Sequence, residues 1–289
     1  MHLFLWPLLL LATPDEAFVK NDVEAWHQER LERLVAEDGW LTLVGLFEVK
    51  SSHTAGSRQD NDFVFPAPTP PRLGVFEKTE NGVTLTLQEK GQVTLNGQPF
   101  DGGLLKSDAD DKPDVLRRGS LTFFVLSRGD RLFLRLKDSE APSRKKFSGI
   151  ERFPFNPKFR VEATFVPHAE KKVIPVPTVL GTVEKMTSPG VLTFVLDGKT
   201  FRLLPVREEG GKELFVLFTD TTARTQTYPS GRFLYTPLPR EGKVTLDFNR
   251  AYNPPCAFTL FATCPLPPFE NRLPVAIEAG EKRYKRPSP

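Results

Sequence analysis

Along most of the chain apolar and polar positions alternate with a period of two. The runs VTLTLQ (83–88), LTFFVLS (121–127), RLFLRLK (131–137), FRVEATFV (159–166), VLTFVL (191–196) and KVTLDF (243–248) are short and rich in β-branched and aromatic residues. Gly, Asp, Asn and Pro separate them, the punctuation of strands and turns. Arg128-Gly129-Asp130-Arg131, Asn81-Gly82, Asn96-Gly97 and Asp197-Gly198 each fall between two such runs and predict tight hairpins. One segment departs from the pattern. Val19, Val23, Trp26, Arg30 and Leu34 are spaced by three and four, with Glu and Arg between them, which predicts an amphipathic helix over 13–39. Thr13 is its expected N-cap, Pro14 its first helical residue, and His27 falls on its exposed side. The apolar stripe of such a helix needs a sheet to lie on.

These elements predict a mainly β protein: one N-terminal amphipathic helix, then two related β-units forming a sandwich or barrel within a single β domain, 40–289. The relation between the units comes from matching the chain against itself. Leu73-Gly74 with Glu77-Lys78 recurs as Leu180-Gly181 with Glu184-Lys185, and Phe124-Val125-Leu126 recurs as Phe215-Val216-Leu217. Asp138, Ala141 and Ser148-Gly149 recur as Asp220, Ala223 and Ser230-Gly231, and 161–165 matches 244–248. The order is kept, so units over about 73–166 and 180–248 are expected, facing each other about a pseudo-twofold axis. The Pro-rich stretch 167–177 would join them, and a tail, 249–289, would be stitched across both.

Composition narrows the class. The chain has 24 Phe, 3 Trp and 4 Tyr in 289 residues, enough to pack a core. Its 39 basic and 36 acidic residues are interspersed, for a net charge of +3. Nucleic-acid binding calls for a concentrated basic face; only Arg144-Lys145-Lys146 clusters, so no nucleic acid is expected. The apolar run 1–12, MHLFLWPLLLLA, has the length of a signal segment and is too short for a membrane span. Export to the periplasm or cell envelope is therefore expected. The only cysteines, Cys256 and Cys264, can form one disulfide in an exported product or stay as two buried thiols.

Residues able to do chemistry concentrate in 246–284, LDFNRAYNPPCAFTLFATCPLPPFENRLPVAIEAGEKRY. The run DFNRAYNPPCAFTLFATCPLPPFENRL, with GRFLY before it and EAGEKRY after it, resembles the C-terminal signature of an uncharacterised, mostly bacterial family, domain of unknown function 1684. DGWLTLVGLF (38–47) and RLKDSEAPSRKKFSGIERFPF (135–155) resemble the same family, so the likeness covers nearly the whole chain. It implies kinship and carries no activity with it.

The strand 243–248 meets two prolines and must turn. Alternation places Leu246 and Phe248 on one face and Asp247 and Asn249 on the other, with Asp247 positioned to pair with Arg250. Two readings follow. In one, this is a buried polar corner that locks the tail. In the other it is a site: Arg232, Arg250 and Arg272 receive an anionic group, Asn249, Asn253 and Asn271 hydrogen-bond it, Tyr252 offers a stacking face, and Asp220 and Asp247 complete the polar rim. The four histidines, His2, His27, His53 and His168, form no HExxH pair, and neither G-x-S-x-G nor a phosphate-binding glycine loop occurs. No metal site and no cofactor are expected. The leading expectation is an exported protein that binds a small polar or anionic ligand, with carbohydrate-derived compounds among the candidates. The alternatives are an envelope hydrolase using Asp and Glu carboxylates, or a structural module without a ligand.

Overall fold

A computed structural model describes residues 15–208 and 210–286, so the apolar run 1–12 and the cap expected at Thr13 lie outside the described residues. The first element is α1 (Glu16–Val35), capped by Asp15, whose carboxylate accepts from Ala17 N at 3.2 Å. Val19, Val23 and Leu34 are buried as the spacing predicts, but His27 is buried as well. The expected support for the stripe was a sheet, but α1 packs on the tail and on the turn before β1: Leu34 joins Leu41, Ala257 and Phe258, and Arg30 and Asp22 pair with Glu281 and Arg250.

Eleven strands follow: β1 (Leu43–Glu48), β2 (Ser52–Gly56), β3 (Phe63–Val64), β4 (Gly74–Thr79), β5 (Gly82–Leu87), β6 (Val93–Leu95), β7 (Gln98–Phe100), β8 (Gly103–Leu105), β9 (Leu116–Arg118), β10 (Leu121–Arg128) and β11 (Arg131–Asp138). They form two sheets, ordered β1-β11-β10-β9-β6-β7 and β3-β2-β4-β5-β8. Phe65, Phe76 and Phe123 meet edge-on or tilted in the core between them. Asn96-Gly97 and Gly129-Asp130 make the hairpin turns expected, while the turn before β5 is Glu80-Asn81, with Gly82 already paired to Thr79.

After the short α2 (Pro142–Lys145), the second unit is built from β12 (Arg160–Pro177), β13 (Val183–Leu196), β14 (Lys199–Leu203), β15 (Glu213–Phe218), β16 (Arg232–Pro237) and β17 (Lys243–Asp247). The sheet β14-β13-β12-β17 packs on the hairpin β15-β16 around a separate core that includes Phe194, Phe218, Leu246 and Phe248. The protein is thus mainly β, with two units and one N-terminal helix. The boundary between the units differs from the sequence reading. Residues 161–165, matched to 244–248 as a copy in the other unit, pair with them directly: Val161 faces Leu246 and Ala163 faces Val244. The stretch 167–177 is no joint but the outer half of β12. Beyond Phe165, among the described residues, β13 is the one strand paired with it, and an edge open over most of its length is where prolines are tolerated.

The outer face of β11 meets the second unit. Leu134 and Leu136 point into the first core, so Arg131, Phe133, Arg135 and Lys137 project the other way. Arg131 donates to Leu180 O at 3.2 Å and Arg135 to Thr263 Oγ1 at 3.1 Å.

Candidate functional site

Among the described residues no further strand follows β17; short 3-10 turns and isolated bridges carry the chain across both units. A segment of this kind leaves many backbone groups without a ladder partner. Buried side chains supply the partners, and most residues expected at a site are used this way.

Arg232 has a side chain 1% exposed. It donates to Asp220 Oδ2 at 2.8 Å, to Ile277 O at 2.8 Å and to the carbonyls of Ala279 and Glu281. Burial lowers its pKa, opposed by the Asp220 carboxylate. The other oxygen of Asp220 accepts from Thr222 N at 2.9 Å and Ile277 N at 3.2 Å. Asp138 opens its loop with the same bond, accepting from Glu140 N at 2.9 Å. Asn271, fully buried, bonds Leu204 N, Leu204 O and Leu217 O at 2.7–2.9 Å and so ties the tail to two strands. Gly280 is needed where the tail presses on Ala251: its φ is 75°, and a Cβ there would stand 2.3 Å from Ala251 O.

At the DFNRAYN corner the expected Asp247–Arg250 pair does not form. Asp247 accepts from Arg160 Nη1 at 2.9 Å and from both the backbone N and side-chain Nδ2 of Asn249, while Arg250 pairs with Asp22 of α1. Asn249 also exchanges hydrogen bonds with the backbone of Asn156 at 3.0 Å. The corner is filled. Arg272 stands exposed elsewhere, 5.2 Å from the Phe269 ring.

Three of the expected residues, Arg250, Tyr252 and Asn253, do meet a cavity. It encloses about 880 Å³ between α1, the β13 end near Met186, the β15-β16 hairpin and the tail. One wall is aromatic. Phe215 and Tyr235 stack at 4.7 Å, Tyr235 and Tyr252 at 6.3 Å, and Phe233 stands edge-on to Phe215 and to Tyr252. The guanidinium of Arg30 lies 4.3 Å from the Tyr252 centroid. It is held there by Glu281, 1% exposed, at 2.5 Å and by Asn253 O at 2.8 Å. Burial pushes the Tyr252 and Tyr235 hydroxyls above the ordinary phenol range, so both are neutral donors in the cavity at any physiological pH.

Two residues that line the cavity each carry a buried polar atom without a partner among the described residues: Arg250 Nε, a donor, and Asn253 Oδ1, an acceptor. Glu208, Glu213 and Glu184 stand at the rim, Glu208 accepting from Tyr235 Oη at 3.3 Å. Sequence reasoning missed Trp26, Arg30, Phe215 and Tyr235. The i, i+4 spacing of Trp26 and Arg30 was a signal, because it puts both on the α1 face that meets the tail. Phe215 and Tyr235 are direct cross-strand partners, which no spacing reveals.

Cys256 and Cys264 form a disulfide at the cavity's edge, with no free cysteine among the described residues. Among these residues no helix is long and apolar enough to cross a membrane, and no group of three His, Cys, Asp or Glu could hold a metal ion.

No curated protein matches the chain. Among solved structures it is similar to an uncharacterized protein of Haloarcula marismortui determined by solution NMR, at 34% identity over 48% of this chain and 78% of that one, with a TM-score of 0.41. A family model described as "Protein of unknown function (DUF1684)" matches residues 145–282, a span that takes in the second unit and the tail down to Lys282: the chain belongs to the DUF1684 family.

Proposed function

We propose that the protein binds a small polar ligand in the cavity between α1, the β15-β16 hairpin and the tail. The observation that carries this is the pair of unpartnered buried atoms, Arg250 Nε and Asn253 Oδ1, in two residues that line a cavity with an aromatic wall. Leaving either group unpaired costs about 1–3 kcal/mol, and a ligand offering one acceptor and one donor would satisfy both. The stacked rings of Phe215, Tyr235 and Tyr252 give such a ligand a flat apolar face, as sugars and planar rings require. The Cys256–Cys264 disulfide supports export to an oxidising compartment, the periplasm or cell envelope.

Trp26 and Trp40 both line the cavity, so intrinsic fluorescence is a direct reporter. A panel of sugars, muropeptides, nucleotides, carboxylates and phosphates is expected to yield a compound that changes this emission and raises the melting temperature. Tyr235→Ala, which removes the middle ring of the stack, should abolish both effects while the variant stays folded. A ligand indifferent to Tyr235→Ala would place binding elsewhere, and no response across the panel would sink the reading.

A further inference from the structure

One buried cation next to the cavity has no counter-ion among the described residues. Arg135, on the outer face of β11, is 5% exposed. Its Nη2 donates to Thr263 Oγ1 at 3.1 Å, its guanidinium lies 5.8 Å from the Trp40 ring centroid, and its Nε has no partner among the described residues. Thr263 and Trp40 both line the cavity. Among the described residues no ion pair involves Arg135; the carboxylate of Asp108 is taken by Arg128 at 2.7 Å. Two residues along the same face, the Lys137 ammonium donates to the backbone carbonyl of Asp38 at 2.7 Å and likewise forms no ion pair among the described residues. By contrast, Arg30, Arg33 and Arg250, which line the cavity directly, each face a carboxylate: Glu281, Glu29 and Asp22.

A charge removed from water without an opposite charge is costly, and natural proteins pair such groups or bring a ligand to them. Burial, with Arg128 nearby, already pushes the Arg135 pKa down to about 10, which is the strain of holding this cation unpaired. It remains charged at neutral pH. Arg135 stands one layer behind the lining residues Trp40 and Thr263, its Nε buried, so an oxyanion reaches it where those two side chains move aside; a planar guanidinium with an unpartnered Nε then receives the oxyanion through two parallel hydrogen bonds.

We propose that Arg135, supported by Lys137, is the anchor for an oxyanion, carboxylate or phosphate, carried by the ligand of the adjoining cavity. The proposal rests on the ligand-binding reading above and deepens it: the ligand's body lies on the Tyr235–Tyr252 wall and its anionic group reaches past Trp40 and Thr263. Arg135 is set apart from the other cavity arginines because its charge is not already spent on a protein carboxylate.

The test titrates sodium phosphate and sodium succinate against sodium chloride at matched ionic strength, following the melting temperature of the full chain and of Arg135→Gln. Phosphate or succinate should stabilise the wild type beyond chloride. Arg135→Gln should raise the apparent dissociation constant by at least about tenfold and, in anion-free buffer, should melt no lower than the wild type. A response confined to phosphate or to succinate names which oxyanion the subsite prefers. Equal behaviour of all three salts, or an undiminished response in Arg135→Gln, overturns the proposal. Should Arg135→Gln fail to fold, Lys137→Gln takes its place, and an undiminished response there overturns it equally. The anions are small and carry no body to stack, so this arm reads the subsite alone. A cavity ligand that still quenches the tryptophans in Arg135→Gln would remove the anchor and leave the binding reading standing.

Discussion

The tail is predicted to depend on one buried ion pair, and Asp220→Ala tests it. Both side chains of the Asp220–Arg232 pair are 1% exposed. Removing the carboxylate strands the Arg232 guanidinium in the interior, and breaking a buried pair from one side costs about 3–5 kcal/mol. Asp220 also caps the turn that follows it, accepting from Thr222 N, and losing such a cap costs about 1 kcal/mol. The two losses share one environment, so a total of about 4 kcal/mol is expected rather than their sum. Asp220→Asn keeps the capping oxygen and removes only the charge, and should cost about 3 kcal/mol. Adding Arg232→Met to Asp220→Ala removes the stranded cation and should recover part of the loss. Recovery stays incomplete because the carbonyls of Ile277 and Ala279 lose their donor. The assay is urea unfolding followed by tryptophan fluorescence and circular dichroism, with coincident transitions as the condition for extracting free energies. A loss below about 1 kcal/mol in Asp220→Ala would refute the claim that this pair holds the tail.

Two further outcomes are expected. Burial lowers the pKa of His27 from its ordinary 6.5, with Arg152 the next contributor. The unfolded chain then binds a proton that the folded one refuses, so stability is full above about 6.5 and falls as pH drops through the lowered folded-state value, with a slope below about 1.4 kcal/mol per pH unit. His27→Gln should flatten that limb of a stability profile between pH 7 and 5; an unchanged limb would show that another group titrates there. Reducing the Cys256–Cys264 disulfide, which closes a loop of sequence separation 8, should cost about 2.5 kcal/mol. Dithiothreitol should lower the urea midpoint of the wild type and leave that of the Cys256→Ser, Cys264→Ser double variant unmoved.

The strands were legible because each sheet has one face on a core, which stamps a period of two on the sequence: in β17, Val244 and Leu246 are buried while Lys243 and Thr245 are exposed. The turns Asn96-Gly97 and Asp197-Gly198 were legible for a local reason too, since both residues of each turn adopt positive φ. Partnerships between distant segments were not. Asp247 and Arg250 are three apart and invite pairing, yet their partners are Arg160 and Asp22, 87 and 228 residues away from them. His27 misled for the same reason: it is buried beside the apolar stripe, near Glu281 of the tail and Arg152, two segments that spacing within the helix cannot reveal. The cavity was the least legible feature, because α1, β13, β15-β16 and the tail each contribute a few residues whose shared position exists only after the helix and the tail pack on the second unit.

The density of Asp, Asn, Arg and Glu in the tail has a structural cause that separates scaffold from site. A chain crossing two sheets without joining either must satisfy its amides and carbonyls with side chains. Arg232 serves the carbonyls of Ile277 and Ala279, Asn271 those of Leu204 and Leu217, Asn253 that of Lys282, and Arg286 those of Cys256 and Ala257. Polar groups committed in this way have little left to offer a ligand. A binding role therefore falls to the groups whose hydrogen-bonding capacity the fold leaves over beside the cavity, which are Arg250 Nε, Asn253 Oδ1 and Arg135 Nε. Arg232 Nε is also unpartnered, but it lies against the Phe218 ring inside the second core and faces no opening. The same polar richness thus has two origins in one segment, and satisfied valence, more than residue type or spacing, tells them apart.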